Sequence, residues 1–166
     1  MATVNINVAV TPKKTSINDG VAFAFTAGTG TPTGVISSDG QIDFSKAFGS
    51  GTSVSIVFQL TTPTLTFSSP PNVGTFPLSF FGAANGAKDA LWIALQGQNP
   101  GIYTGTQFTF PQNALGPGYA TLTVVDANND GNIYTYALWV WTALAGPNNG
   151  QRFEDDPRLI NHPNNK

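Results

Sequence analysis

The run Asp126-Ala127-Asn128-Asn129-Asp130-Gly131 places side-chain oxygens at its first, third and fifth positions and a glycine at its sixth. That is the opening half of a calcium loop. Such a loop closes its coordination with a bidentate Glu at the twelfth position, which here is Ala137, and the flanking residues read as strands instead of helices. A polar hairpin turn accounts for the same residues, because Asn, Asp and Gly tolerate left-handed backbone, and that turn is the expectation. Asp39 and Asp43 could in principle serve as acid and base of a glycoside hydrolase. Placed across a tight turn, they are expected to be solvated turn residues. His162 is the only histidine and lies in a polar tail beside Pro163, where nothing pre-organises a general base. The chain has no cysteine, which removes disulfides and thiolate chemistry, and one histidine cannot build a zinc site of the usual composition. No glycine-rich loop joins a strand to a helix, so nucleotide binding lacks its motif. The expectation is a non-enzyme with no catalytic residue, no cofactor and no metal ligand.

Three tryptophans, Trp92, Trp139 and Trp141, raise carbohydrate binding, since aromatic faces stack on sugar rings. Trp139 and Trp141 are two residues apart and share one face of a strand, while Tyr134, Tyr136, Leu138 and Val140 occupy the other. One of these faces must be core. A large aromatic pair is ordinarily buried, so the tryptophan face is expected inside, with a sugar platform as the alternative.

The elements that carry these residues are read from alternation. Val4, Ile6, Val8 and Val10 alternate with small and polar residues, which is the pattern of a half-buried strand. Val21, Phe23 and Phe25 line the next. Val35-Ile36 and Ile42-Asp43-Phe44 flank the turn Ser38-Asp39-Gly40. Val54 to Leu60 alternates, Leu65 and Phe67 continue, Pro70-Pro71 ends the run, and Thr75 to Phe81 suits a further strand. Ala83 to Leu95 is read as strand, although Ala87-Lys88-Asp89-Ala90 could form a short helical turn. Phe108 and Phe110 share a face. Tyr119 to Val125, a turn at Asp126 to Asn132, and Ile133 to Thr142 form the best-defined strand-turn-strand unit. Seven to nine strands at this spacing predict an all-β, two-sheet antiparallel β-sandwich of immunoglobulin-like type, with a jelly roll as the alternative.

Composition narrows the function. At 166 residues the chain fits one domain and can bury a substantial core. Only 10% of residues are charged, against about 25% in ordinary soluble domains. Between Asp89 and Arg152 the only charged residues are Asp126 and Asp130, and the net charge is -2. A neutral surface repels its own copies weakly, which favours a homo-oligomer or larger assembly. Basic residues are isolated apart from Lys13-Lys14, which argues against nucleic acid. No run of about 18 apolar residues is present to span a membrane. Met1 to Val10 lacks the basic region and apolar core of a secretory signal, so a cytoplasmic location is expected.

After Trp141 the character changes. Gly146-Pro147-Asn148-Asn149-Gly150 is rich in breakers, and Arg152 to Lys166 holds a disproportionate share of the charge. Asp155-Asp156-Pro157-Arg158-Leu159-Ile160-Asn161-His162-Pro163 is too proline-flanked for a helix and is expected to be extended, anchored by Leu159 or Ile160. The chain thus divides into a sandwich over residues 2–145 and an extended C-terminal arm over 146–166. Asp156-Pro157, Asn161 and a second X-Pro resemble the terminal motif of a small bacterial family called DP-EP, and Leu122 to Val140 is similar in layout to the strands before it. The resemblance covers about the last quarter of the chain, and His162 stands where the family name implies Glu. It implies a short protein with an immunoglobulin-like sandwich and an uncharacterised activity, reminiscent of inclusion-body proteins that accumulate as intracellular crystals. It supplies no functional residue. Together these readings predict a non-enzymatic, self-associating structural or inclusion-type protein, with a carbohydrate-binding module as the competing function.

Overall fold

The computed structural model describes residues 1–143, 150–155 and 157–161. Its strands are β1 (Ala2–Pro12), β2 (Val21–Ala27), β3 (Ile42–Asp43), β4 (Val54–Leu60), β5 (Thr64–Phe67), β6 (Gly74–Phe80), β7 (Leu91–Leu95), β8 (Gly101–Ile102), β9 (Phe108–Thr109), β10 (Thr121–Asp126), β11 (Ile133–Thr142), β12 (Gln151–Asp155) and β13 (Arg158–Ile160). Among the described residues one α-helical turn, α1 (Ala87–Ala90), and three 3-10 turns, Ile17–Asp19, Phe44–Lys46 and Pro117–Tyr119, interrupt them. The fold is all-β, with two open sheets packed face to face. Sheet one runs β2-β1-β4-β10-β9, and sheet two runs β3-β13-β11-β6-β5, with β12 and β7 also on β11 and β8 on β7. No helix among the described residues is long and apolar enough to cross a membrane.

Alternation sets which side faces in. Val4, Ile6, Val8 and Val10 of β1, Val54, Ile56 and Phe58 of β4, and Leu122 and Val124 of β10 are buried on the inner face of sheet one. They meet Leu91 and Ile93 of β7 and Tyr134, Tyr136, Leu138 and Val140 of β11. Aromatic pairs lock the sheets across the gap: Phe58 with Tyr136 at 5.7 Å between ring centroids, and Phe108 edge-on to Tyr134 at 4.9 Å.

The sheets are mixed where antiparallel pairing was expected. β1 runs parallel to β4, and β13 runs parallel to β3. The reason lies in the connections. After β2 the chain leaves sheet one, contributes β3 to sheet two, and returns as β4 on the far side of β1, and such a crossover makes neighbours parallel where a hairpin cannot. The unit around Asp126–Asn132 is likewise not a hairpin. β10 pairs with β4 and β9, and β11 pairs within the other sheet, so the turn carries the chain from one layer to the other.

Residues 83–90 are also not strand. The Asp89 carboxylate accepts from the N–H groups of Ala83 and Asn85, at 3.1 and 2.9 Å, and from the Asn85 side chain at 3.0 Å. This local alternative outcompetes the ladder and folds the segment into α1. β6 and β7 lie along the same side of β11, with residues 82–90 as an excursion between them. The strand read at Leu91–Leu95 is present as β7.

The C-terminal segment is extended, and it belongs to sheet two. β12 and β13 pair with β11 in the same register, Asp155 opposite Leu138 and Arg158 opposite Thr135. Between them the Pro157 carbonyl accepts from the Tyr136 N–H at 3.0 Å. Leu159 supplies the anchor and is buried, while Ile160 is half-buried. The 145/146 boundary, Asp156, His162 and Pro163 lie outside the described residues.

Candidate functional site

The face of sheet two turned away from the core carries the tryptophans. The expectation that Trp139 and Trp141 are core is reversed: Tyr134 and Tyr136 occupy the inner face, and both tryptophans are half-buried on the outer one. The hydroxyls explain the choice. Tyr136 Oη donates to the Gly40 carbonyl at 2.7 Å inside the core, and Tyr134 Oη donates to Asp130, so each buried phenol has an acceptor. The indole N–H groups of Trp92 and Trp139 have no partner among the described residues.

On this outer face β7 sets Trp92 diagonally against Trp139, with ring centroids 4.9 Å apart, and the pair covers Ala137, which is buried beneath it. Phe81 follows β6 and donates its N–H to the Trp139 carbonyl at 3.1 Å. Arg152, opposite Trp141 on β12, lies over both Phe81 and Trp139, its guanidinium carbon 5.0 and 5.5 Å from the two ring centroids. Beside them Ser79, Phe81, Gly82, Tyr119 and Trp141 line a groove of about 230 Å³. Gly150 packs so closely on the Trp141 indole that an added Cβ would fall 1.7 Å from Nε1. Sequence alone identified the tryptophans. Phe81 and Arg152 join them only because β6, β11 and β12 lie side by side, and no spacing in the chain signals that.

A second polar cluster closes one end of the sandwich. Asp126 continues the inward face of β10 and is fully buried. Its Oδ1 accepts from Gln107 Nε2 at 2.7 Å and from the Asn128 N–H at 2.8 Å, whereas Oδ2 has no partner among the described residues. Burial pushes the carboxyl up to about 6, against the lowering effect of these hydrogen bonds. Asn128 takes a left-handed conformation (φ 48°) and directs its amide to the carbonyls of Gly49 and Thr52, at 3.3 and 3.4 Å. Asp130 accepts from Asn132, Tyr134 and Asn161; burial raises its pKa and these bonds more than offset that, holding it below the usual value. The hairpin turn expected at these residues is instead a turn between the two sheets, with its carboxylates hydrogen-bonded within the structure.

Asp39 and Asp43 serve separate local turns. Asp39 accepts from the Ser37 hydroxyl and, at 3.4 Å, from the Gln41 N–H, and the Ser37 bond is the main reason its pKa falls below the usual carboxylate value. Asp43 caps the short 3-10 turn at 44–46 through the Ser45 N–H at 3.1 Å and pairs with Lys46 at 3.4 Å. No protein-family model and no curated protein matches the chain.

Proposed function

We propose that the protein is a non-enzymatic, self-associating structural protein of the inclusion type, built on an immunoglobulin-like sandwich. The observation that carries this reading is the outer aromatic face of sheet two, where Phe81, Trp92, Trp139 and Trp141 stand beside Arg152. Tryptophan, tyrosine and arginine are the residues that interfaces between proteins favour, and their truncation costs most there. Charge does little to oppose contact, since residues 47–87, which include β4, β5 and β6, contain no Asp, Glu, Lys or Arg. Residues 151–155 and 158–160 are already paired along β11 of their own chain, so the reading rests on contact between folded surfaces and needs no exchanged arm.

Multi-angle light scattering of the full chain across a range of concentrations tests it. Growth of a discrete larger species with concentration is expected, and a monomer throughout would sink the reading.

A ligand-binding module for carbohydrate is the second reading, favoured by the groove between Phe81, Tyr119 and Trp141 with the Ser79 hydroxyl on its wall. Aromatic walls with a few polar groups suit a sugar ring. Titration of soluble oligosaccharides against tryptophan fluorescence separates the two: saturable quenching in a monomer favours the module.

A further inference from the structure

We propose, resting on the carbohydrate reading of the groove beside Trp141, that this groove is one subsite of a longer cleft, which binds a neutral oligosaccharide of equatorially linked pyranoses across Tyr119. Tyr119 lines two cavities at once. One is the groove of about 230 Å³ that it shares with Phe81 and Trp141. The other, of about 440 Å³, lies between residues 85–88 and 110–115. Together they reach the size of an ordinary ligand pocket, about 300–1,000 Å³.

Tyr119 is held at this junction against its own backbone preference. Its φ of 53° lies in the left-handed region, where a residue with a Cβ is strained and glycine is at ease. The surrounding turn fixes it there. The Tyr119 N–H donates to the Gly116 carbonyl at 2.9 Å, and the Gly116 N–H donates to the Thr121 carbonyl at 3.0 Å. From β4 the Leu60 N–H donates to the Ala120 carbonyl at 2.9 Å. A Cβ on Gly82 would lie 3.3 Å from the Tyr119 ring, so the ring packs over a residue without a side chain. Tyr119 nonetheless stays 46% exposed, and so returns little burial for its strain. Strained backbone of this kind gathers at ligand clamps.

The linings suit sugar rings. Equatorial pyranoses present flat C–H faces, and Phe81, Trp141 and Tyr119 offer aromatic faces to stack on them. In the larger cavity Gln112 and Asn113 are exposed and Phe110 is half-buried. Carboxamides both donate and accept, which matches the neighbouring hydroxyls of a pyranose. Among the described residues Lys88 is the one charged side chain lining either cavity, which fits an uncharged chain. No carboxylate lines them, so the cleft holds the chain without the acid and base that would cleave it.

The full chain is titrated with cellobiose and cellotetraose, and with the corresponding xylose and N-acetylglucosamine oligomers, while tryptophan emission is followed. Saturable quenching by at least one tetrasaccharide is expected. Its affinity should exceed that of the matching disaccharide at least about tenfold, because a second subsite adds contacts without a second loss of free motion. Gln112→Ala combined with Asn113→Ala alters only the larger cavity, and is expected to abolish this gain and leave disaccharide binding as in wild type. Tyr119→Gly is expected to fold with an unchanged or higher Tm and to weaken both sugars. No quenching by any tetrasaccharide overturns the proposal together with the carbohydrate reading. Equal affinity for both chain lengths, or undiminished tetrasaccharide binding in either folded variant, overturns the extended cleft and leaves a single subsite beside Trp141. If Tyr119→Gly fails to fold, the Gln112 and Asn113 double variant decides.

Discussion

Tyr136 and Gly40 are 96 residues apart in sequence and meet inside the core, the phenol of one donating to the carbonyl of the other at 2.7 Å. The contact ties β11 to the turn at 37–41. Gly40 has a φ of +83°, and a Cβ there would lie 2.8 Å from the Phe25 ring and 2.9 Å from Pro157. Three separated segments of chain, at Phe25, Tyr136 and Pro157, therefore converge on one glycine. Tyr136→Phe leaves the carbonyl buried without a donor and is expected to cost about 1–3 kcal/mol in urea unfolding. Gly40→Ala combines backbone strain with overpacking, and a loss of about 2 kcal/mol or more is expected.

Asp89 gives a pH dependence of known sign. Burial raises its pKa, and the hydrogen bonds from Asn85 and Ala83 outweigh this, so the folded value lies below the ordinary carboxylate value. A depressed folded pKa adds stability above the unfolded pKa, and that contribution is lost as pH falls through the folded one. Asp89→Asn is expected to cost about 1–3 kcal/mol at neutral pH. The difference from wild type should shrink as unfolding is repeated at progressively lower pH, below that unfolded value.

The aromatic face separates stability from assembly. Trp139→Ala combined with Trp141→Ala changes the outer side of β11 and leaves the inner residues Tyr136, Leu138 and Val140 in place. The far-UV circular dichroism spectrum is expected to persist while light scattering loses the larger species. Persistence of that species in the folded double variant would move the interface away from this face.

Removal of residues 151–166 is expected to destabilise the fold, not to release a clean sandwich. It strips the β12–β13 strand from β11 and uncovers Leu159's site in the core. A lower Tm with exposed-hydrophobe dye binding is the expected result. A truncated chain as stable as the full one would show that the paired segment contributes little.

Much of the architecture follows from the chain read in order. Alternation at Val4–Val10, Val54–Leu60 and Leu65–Phe67 marks strands and their inner faces, because a pleated backbone sends successive side chains to opposite sides whatever the neighbouring strand is. Local chemistry also marks the turn at Ser38-Asp39-Gly40, closed by a Ser37–Gln41 hydrogen bond of 3.0 Å. At residues 83–90 the propensities allowed both strand and turn, and the three hydrogen bonds to Asp89 decided it.

Partnership across the chain was not legible. Period-two spacing shows that Trp139 and Tyr136 face opposite ways, but only the acceptors waiting at Gly40 and Asp130 decide which face is core. The same spacing cannot show that β10 and β11 enter different sheets, since a turn of Asn, Asp and Gly serves a hairpin or a crossover equally well. The calcium-like run is the clearest case. Sequence establishes its two carboxylates and the missing ligand at Ala137, while tertiary structure alone brings Asn161 to Asp130 and Gln107 to Asp126. A hydrogen-bonded cluster is a matter of distance in space, and spacing along the chain records that distance only within a single turn.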